Sequence, residues 1–189
     1  MGEVLLKAEK IDKHFGITHA LDHVSFTFEK GEIHALIGEN GSGKSTLTSC
    51  LTGIYQKDSG KFVLDGKEIT ATNQVEANHQ GVAIIVQEIG TLSGLTVAEN
   101  IFLGNEDMFT NHGIKNAAAM NKKAQEYLDS YGFNYIDATK VIDDYNFEDR
   151  KLVEIVKATY FNPKVLVVDE TTTALGQKGR EELFKVMHK

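Results

Sequence analysis

The residues best suited to chemistry form one short run, residues 38–46, with the sequence GENGSGKST. It fits the pattern G-x-x-x-x-G-K-[ST], in which glycines accept positive φ angles and let several backbone N–H groups face one concave space. Such a space binds phosphate, Lys44 can reach the terminal phosphate oxygens, and the Ser45 hydroxyl can ligate Mg²⁺. The pattern therefore predicts a phosphate-binding loop formed by Gly38, Asn40, Gly41, Ser42, Gly43, Lys44, Ser45 and Thr46.

A loop of this kind needs a strand before it and a helix after it, and the neighbouring sequence has a pattern for each. Residues 33–37 form an apolar run typical of a buried strand, and residues 45–54 have the pattern of a helix. The alternative is a glycine-rich turn that binds nothing. The order of strand, loop and helix favours the phosphate site, because the start of the helix adds N–H groups to it.

A second chemical feature is the carboxylate pair Asp169 and Glu170, which directly follows four apolar residues, 165–168. A carboxylate at the carboxyl end of a strand beside the phosphate loop can bind Mg²⁺, and this is the predicted role of Asp169. Glu170 can then polarise the attacking water. The alternative is an ordinary acidic strand end.

Composition narrows the class of protein. The chain has 189 residues, 41% of them hydrophobic, and a formal net charge of −7, which suits a soluble domain and argues against a nucleic-acid partner. The single cysteine, Cys50, excludes an internal disulfide and is expected to be a packed thiol. No apolar run approaches the ~18–20 residues of a membrane span. The seven histidines show no metal-binding spacing, and we expect them to be structural or surface residues.

Further elements are expected to position these groups. The patterns predict strands at 4–11, 21–28 and 82–86, and a hairpin over 61–69 that turns at Asp65 and Gly66. Helical patterns dominate the middle of the chain, and the predicted helices cover 116–131, the residues before Pro163, and 181–189. This order predicts an α/β fold with three parts: an antiparallel β subdomain and nucleotide-binding core at 1–90, a helical subdomain at 91–160, and a return to the core at 161–189.

The sequence resembles the ATP-binding subunits of ABC transporters, above all the N-terminal cassette of simple-sugar importers of the ribose, galactose and xylose type. The segments that carry the resemblance are LDHVSF (21–26), GEIHALIGENGSGKSTL (31–47), GIYQKDSGKFVLDGKEI (53–69), GVAIIVQE (81–88), LTVAENIFLG (95–104), VEIVKA (153–158) and VLVVDE (165–170). The resemblance implies a P-loop NTPase core that is incomplete at its C-terminus, with ATP and Mg²⁺ as ligands. It also implies a second cassette and a transmembrane permease as partners, and a peripheral position at the cytoplasmic face of the membrane.

The resemblance also assigns roles to single positions. Phe15 falls where an aromatic ring stacks on adenine, although it can equally be a core aromatic. Gln87 falls where a glutamine contacts Mg²⁺ and water, although by sequence it is only a polar residue after a strand. Residues 92–103 match the segment that faces the transmembrane subunit, and their apolar residues can equally belong to a local core.

Residues 145–149 depart from the family pattern. A Ser-Gly signature is expected there to cap the triphosphate of the opposite cassette, but the sequence is Tyr-Asn-Phe-Glu-Asp, with Glu148 in place of glycine. At ~5 Å and an effective dielectric constant of ~20, each like-charge contact with phosphate costs roughly 3 kcal/mol, which Arg150 and Lys151 can partly offset. Asn146 and Asp149 still form a plausible helix N-cap. We expect this signature not to support hydrolysis, unless no phosphate ever reaches it.

The sequence departs from the family pattern in two further places. Thr171 replaces the usual proline, and we expect little effect. The chain ends at Lys189 before the strand and γ-phosphate histidine that the family has, and His188 does not match that histidine.

The preferred hypothesis is the ATP-binding component of an ABC transporter that drives sugar import by hydrolysis in a cassette dimer, with Glu170 as general base. The chain alone is then expected to bind ATP with little turnover. The alternative is a nucleotide-binding regulatory module without useful ATPase activity. A soluble P-loop kinase is disfavoured, because it would need a substrate-binding lid where residues 95–104 resemble a transmembrane contact.

Overall fold

The chain divides into two units in the computed structural model, which describes residues 2–86, 90–111, 113–169, 180–181 and 183–185. The first unit comprises Met1–Ala83 and Phe161–Val167, and the second comprises Ile84–Tyr160 and Val168–Lys189. The strands in chain order are β1 (Val4–Phe15), β2 (Thr18–Glu29), β3 (Ser59–Leu64), β4 (Lys67–Glu68), β5 (Val82–Ile85), β6 (Thr110–Asn111), β7 (Ile114–Lys115) and β8 (Val165–Val168). The α-helices are α1 (Lys44–Leu51), α2 (Gln74–His79), α3 (Val97–Ile101), α4 (Ala117–Ser130) and α5 (Phe147–Thr159).

An antiparallel sheet in the order β2-β1-β3-β4 forms much of the first unit. The predicted strands at 4–11 and 21–28 are confirmed, and both continue further, so that β1 and β2 form one long hairpin. The predicted turn between β3 and β4 is also confirmed, because Asp65 and Gly66 both have positive φ angles, 51° and 77°.

The core of the first unit lies against one face of this sheet. Alternate residues of β1, such as Leu6 and Ala8, are fully buried because successive side chains point to opposite faces of a strand. Helix α1 contributes Leu47, Leu51 and Cys50 to the same core. Burial raises the pKa of the Cys50 thiol, as expected for a packed cysteine.

Residues 33–37, predicted as a buried strand, form no strand in the structure. Ile33, Leu36 and Ile37 are 57%, 51% and 89% exposed. An apolar run becomes a central strand only when neighbouring strands bind its backbone N–H and C=O groups and other elements cover its side chains. In the described part of the chain, β1–β4 pair with one another and β5 pairs with β8, so no strand pairs with this run. The strand prediction was wrong because apolar composition does not supply a pairing partner.

Strands β5 and β8 form a separate two-stranded sheet. The amide of Val165 donates to Gly81 O at 3.1 Å, and the amide of Asp169 donates to Ile85 O at 3.0 Å. Both partners advance by four residues in the same direction, so the strands are parallel. Their carboxyl ends therefore meet at one edge, where Asp169 follows β8.

The second unit is mainly helical. The helix predicted before Pro163 is confirmed as α5, in which Leu152, Ile155 and Val156 are at most 1% exposed. Helix α4 occupies most of the predicted 116–131 segment, and Gly132 follows it with a φ angle of 76°. Of the predicted last helix, residues 181 and 183–185 are helical, and the remainder lies outside the described residues. In the part of the chain that the structure describes, each helix is too short or too polar to cross a membrane.

Candidate functional site

Glycine geometry shapes the loop at residues 38–46. Gly41 and Gly43 have φ angles of 85° and 88°, in the left-handed region that favours glycine. A Cβ atom on Gly43 would lie 2.6 Å from the carbonyl oxygen of Ala20, so a side chain cannot be accommodated there without a shift. Gly43 is the N-cap of α1, and the unpaired N–H groups of the first helical turn begin directly after it.

The side chain of Lys44 folds back over this loop. Its Nζ donates hydrogen bonds to the carbonyl oxygens of Gly38 and Glu39, both at 2.9 Å. An ammonium group has three N–H donors. Two of them connect Lys44, near the end of the loop, to Gly38 and Glu39 at its start. This places the positive charge within the loop, where a phosphate group would be expected to bind.

The other predicted loop residues lie next to Lys44 and are accessible from solvent. Asn40, Gly41, Ser42 and Ser45 are exposed, and Thr46 at the start of α1 is half-buried. The Ser45 hydroxyl can therefore be reached by a hydrated metal ion. Its role as an Mg²⁺ ligand remains a prediction.

Phe15 lies at the end of β1 and does not belong to the core. It is 42% exposed and packs edge-to-face against Tyr55, with ring centroids 5.2 Å apart. The ammonium group of Lys13 lies 5.3 Å from the Phe15 ring centroid. Tyr55 is also 43% exposed, so the two rings together offer an aromatic surface on which a planar base can stack. Sequence reasoning missed Tyr55, because no spacing links it to Phe15.

Asp169 is the remaining predicted site residue that the structure describes. Asp169 directly follows β8, as predicted, and its amide bonds to Ile85 at the end of β5. Gln87 and Glu170, the predicted magnesium contact and general base, lie outside the described residues. Asp169 belongs to the second unit, and its role at a magnesium ion stays a prediction.

A buried ion pair on α5 holds the residues on either side of the segment that contains Gln87. Lys151 Nζ donates to Val86 O at 2.9 Å and lies 3.0 Å from Glu154 Oε2. Glu154 Oε1 in turn accepts a short hydrogen bond from the amide of Gly90. Lys151 is fully buried and Glu154 is only 5% exposed. Val86 and Gly90 are therefore both hydrogen-bonded to side chains of α5.

Burial also affects the protonation of the Glu154 carboxyl group. It raises the pKa of Glu154, while the ammonium group of Lys151 and the amide of Gly90 act in the opposite direction. The spacing of Lys151 and Glu154 in the sequence also indicates that they share the buried face of α5. Lys151 and Glu154 are three residues apart, and their spacing to Ala158 places them on the apolar face of α5 rather than on its exposed face.

The segment 145–149 forms the start of α5. Asn146 is the N-cap, since its side-chain oxygen accepts from the amide of Asp149 at 2.9 Å, which confirms the predicted cap. The Asp149 carboxylate accepts from the Tyr135 hydroxyl at 2.8 Å. Arg150 is directed back to the carbonyl oxygen of Tyr145, at 2.9 Å. The expectation that Lys151 offsets the charge of Glu148 was wrong, because Lys151 is buried against Val86 and Glu154.

The geometry can be compared with known proteins. A family model described as ABC transporter matches residues 21–173. The chain belongs to the ABC transporter family. It is 41% identical over 184 residues to the ribose import ATP-binding protein RbsA of Bacillus cereus, and 40% identical over 189 residues to that of Clostridium perfringens. It is 38% identical to a putative ribose/galactose/methyl galactoside import ATP-binding protein of Halalkalibacterium halodurans.

These alignments cover 97% of this ABC-family chain in the first case and 99% in the other two, but only 37%, 38% and 36% of the relatives. The chain thus spans little more than a third of their length. Among solved structures, a nucleotide-free ATP-binding cassette from an ABC transporter matches with a TM-score of 0.80 and 29% identity, over 98% of this chain and 76% of that one. An ATP-binding cassette in its ADP conformation matches with a TM-score of 0.76 and 30% identity, over the same shares. These matches confirm the predicted α/β fold of the P-loop NTPase class.

Proposed function

We propose that this chain is the ATP-binding component of an ABC importer for a simple sugar, and that import is driven by ATP hydrolysis in a dimer of cassettes. The observation that carries the proposal is the loop at residues 38–46, where Gly43 fits only as glycine and Lys44 is folded into the loop. Membership of the ABC family and the sugar-import names of the relatives support the choice of cargo.

The proposed site binds ATP through three groups of residues. The N–H groups of residues 38–46 and Lys44 hold the phosphates, and Phe15 with Tyr55 stacks on the base. Ser45, Gln87 and Asp169 supply oxygen ligands of the type that Mg²⁺ prefers, and the bound ion would neutralise charge on the phosphates. Glu170 accepts a proton from the attacking water.

Hydrolysis in this proposal requires a second cassette. Phosphoryl transfer depends mainly on positioning and charge stabilisation, and one chain alone lacks the signature loop of a partner across its phosphates. The chain alone is therefore expected to bind ATP and to hydrolyse it slowly.

The proposed permease contact involves residues 92–103, although much of this segment is local core. Val97, Ala98 and Ile101 are fully buried, whereas Leu92 is 50% exposed. The contact would therefore use the residues around Leu92 rather than α3. In this proposal the chain lies peripherally at the cytoplasmic face of the membrane.

Equilibrium binding of a fluorescent ATP analogue tests the nucleotide site. A charge-assisted hydrogen bond contributes about 1.5–3 kcal/mol, so Lys44→Ala should weaken binding roughly tenfold to hundredfold. Lys67→Ala, which removes an exposed lysine of the same unit, is the matched control and should bind normally. Equal affinity of the Lys44→Ala and Lys67→Ala variants would refute the site.

A regulatory nucleotide-binding module is the second candidate. The observation that favours it is the acidic first turn of α5, where Glu148 and Asp149 follow the Asn146 cap. A carboxylate there repels a phosphate that approaches the helix N-terminus. Glu170→Gln in the assembled transporter separates the two functions. Loss of ATP-driven import supports Glu170 as general base, whereas unchanged import supports the regulatory module.

A further inference from the structure

The β1–β2 hairpin gathers three histidine rings around one buried carboxylate. Asp12 is 6% exposed. Its Oδ1 lies 3.1 Å from His14 Nδ1, and its Oδ2 lies 3.0 Å from His19 Nε2 and 3.4 Å from His23 Nδ1. Sequence spacing did not indicate this cluster, because its members lie on two strands that only the fold brings together.

The pairing of the strands explains the cluster. His14 on β1 is directly opposite His19 on β2, and Asp12 lies two residues before His14, where the register of β1 is irregular. The rings of His14 and His19 are stacked, with centroids 3.9 Å apart and planes 11° from parallel. Two imidazole nitrogens are thereby presented to the two oxygens of one carboxylate.

The distances are close to those of a metal site. Zinc lies about 2.0–2.2 Å from nitrogen and oxygen ligands, so neighbouring ligands of a tetrahedron are about 3.3 Å apart. The nitrogen–oxygen distances of 3.0 Å and 3.1 Å around Asp12 are within a few tenths of an ångström of this value. One of the two stacked rings has to turn so that both nitrogens point at one ion. The ligand atoms of Asp12, His14 and His19 all lie within 4.8 Å of one another.

A neighbouring carboxylate orients one of the rings. Asp58 Oδ2 lies 3.4 Å from His14 Nδ1 and accepts the backbone amide of His14 at 2.6 Å. Its other oxygen is bound by Lys13 Nζ at 2.9 Å. Asp58 therefore faces the same His14 nitrogen that would bind the ion, and its bond to the amide of His14 keeps this carboxylate beside the site. The side chains of His14 and His19 are 47% and 38% exposed, so an ion and a water ligand can enter from solvent.

We propose that Asp12, His14 and His19 form a binding site for a divalent transition-metal ion of borderline hardness, with Zn²⁺ as the representative ion. Two imidazoles and one carboxylate suit this class of ion better than Mg²⁺ or Ca²⁺, which prefer oxygen ligands alone. A second set, Asp12, Asp22 and His23, also has its ligand atoms within 4.8 Å. It offers only one imidazole, and Asp22 is largely exposed, so the first set is preferred. The proposal does not depend on nucleotide binding.

Titration of the purified chain with Co²⁺ and Zn²⁺, in excess Mg²⁺ and without nucleotide, tests the site. We expect one equivalent of Co²⁺ to give the visible absorption of a tetrahedral site, and Zn²⁺ to displace it. Loss of an outer-shell contact costs about 10–100-fold in metal affinity, so His14→Gln and His19→Gln should each weaken binding by at least about 100-fold. Both rings are exposed enough for the variants to fold, which circular dichroism verifies.

His34→Gln is the matched control, because His34 pairs only with Glu32 among the described carboxylates and is not part of either metal set. It should bind Co²⁺ as the parent chain does. Absence of binding in the parent chain would overturn the proposal, as would binding that survives both His14→Gln and His19→Gln. Loss of binding in His23→Gln alone would assign the ion to the second set, and a sulfur-to-cobalt charge-transfer band would assign it to Cys50. Either result would also refute the proposed site.

Discussion

Replacement of Lys151 by methionine is the most direct test of the buried pair on α5. The substitution keeps an unbranched side chain of similar length but removes the ammonium group. Val86 O then loses its donor, and the Glu154 carboxylate, 5% exposed, loses the cation 3.0 Å away. The same change removes the hydrogen bond between α5 and Val86.

The expected loss in the free energy of unfolding follows from the burial of this pair. Removing one partner of a buried ion pair typically costs about 3–5 kcal/mol, because the other charge remains uncompensated. For a chain of this size each kcal/mol lowers the melting temperature by about 2–4 °C, so we expect a decrease of about 6–20 °C. Urea titration gives the free energy directly, from the midpoint at an unchanged slope.

The destabilisation caused by Lys151→Met should also depend on pH. Burial already raises the pKa of Glu154, and loss of the lysine raises it further. Between the ordinary pKa and this raised value the native state binds more protons than the unfolded state, so stability falls as pH increases. The deficit of Lys151→Met should therefore be smaller near about pH 5 than near about pH 8.

Helix α4 offers a matched control. Lys123 and Glu126 have the same types and the same spacing, with a separation of 3.3 Å, but their side chains are 48% and 51% exposed. Lys123→Met should cost at most about 0.5 kcal/mol. If Lys151→Met is no more destabilising than Lys123→Met, the reasoning from burial is refuted. The double variant Lys151→Met/Glu154→Leu should recover part of the loss, because it removes both charges of the pair.

Four further substitutions test the loop and the helix caps. Gly43→Ala should destabilise the chain by about 1–3 kcal/mol in urea titration and weaken binding of an ATP analogue, because it combines a positive φ with a 2.6 Å contact. Gly41→Ala, where no atom lies within 4 Å of the added Cβ, should cost less; equal costs would contradict the role of the contact. Asn146→Ala and Thr96→Ala each remove a capping side chain, and each should lower the free energy of unfolding by about 1 kcal/mol, whereas unchanged values would show that the caps contribute nothing.

Local patterns predicted the features that depend on local chemistry. The loop at residues 38–46 follows from its glycines, the turn at Asp65 and Gly66 from residues that accept positive φ, and the Asn146 cap from spacing alone. Each needs only a few neighbouring residues to form.

Features that depend on distant partners could not be predicted in the same way. Residues 33–37 have the composition of a strand but no partner among the described strands. Lys151 was expected to offset part of the repulsion between a phosphate and the acidic start of α5, and only the packing of α5 shows that it bonds to Val86. The cluster around Asp12 likewise depends on which residue of β2 lies opposite His14.

The hydrogen bonds of Lys44 have a consequence for the loop when it holds no ligand. Its ammonium group already satisfies Gly38 O and Glu39 O, so departure of a phosphate leaves neither a bare carbonyl pair nor an unpartnered cation at the turn. The shape of the loop is thus held by its own residues, and a phosphate that binds there meets a shape that needs little rearrangement. The conformational entropy of these residues is lost once, when the chain folds, and not again each time a nucleotide binds.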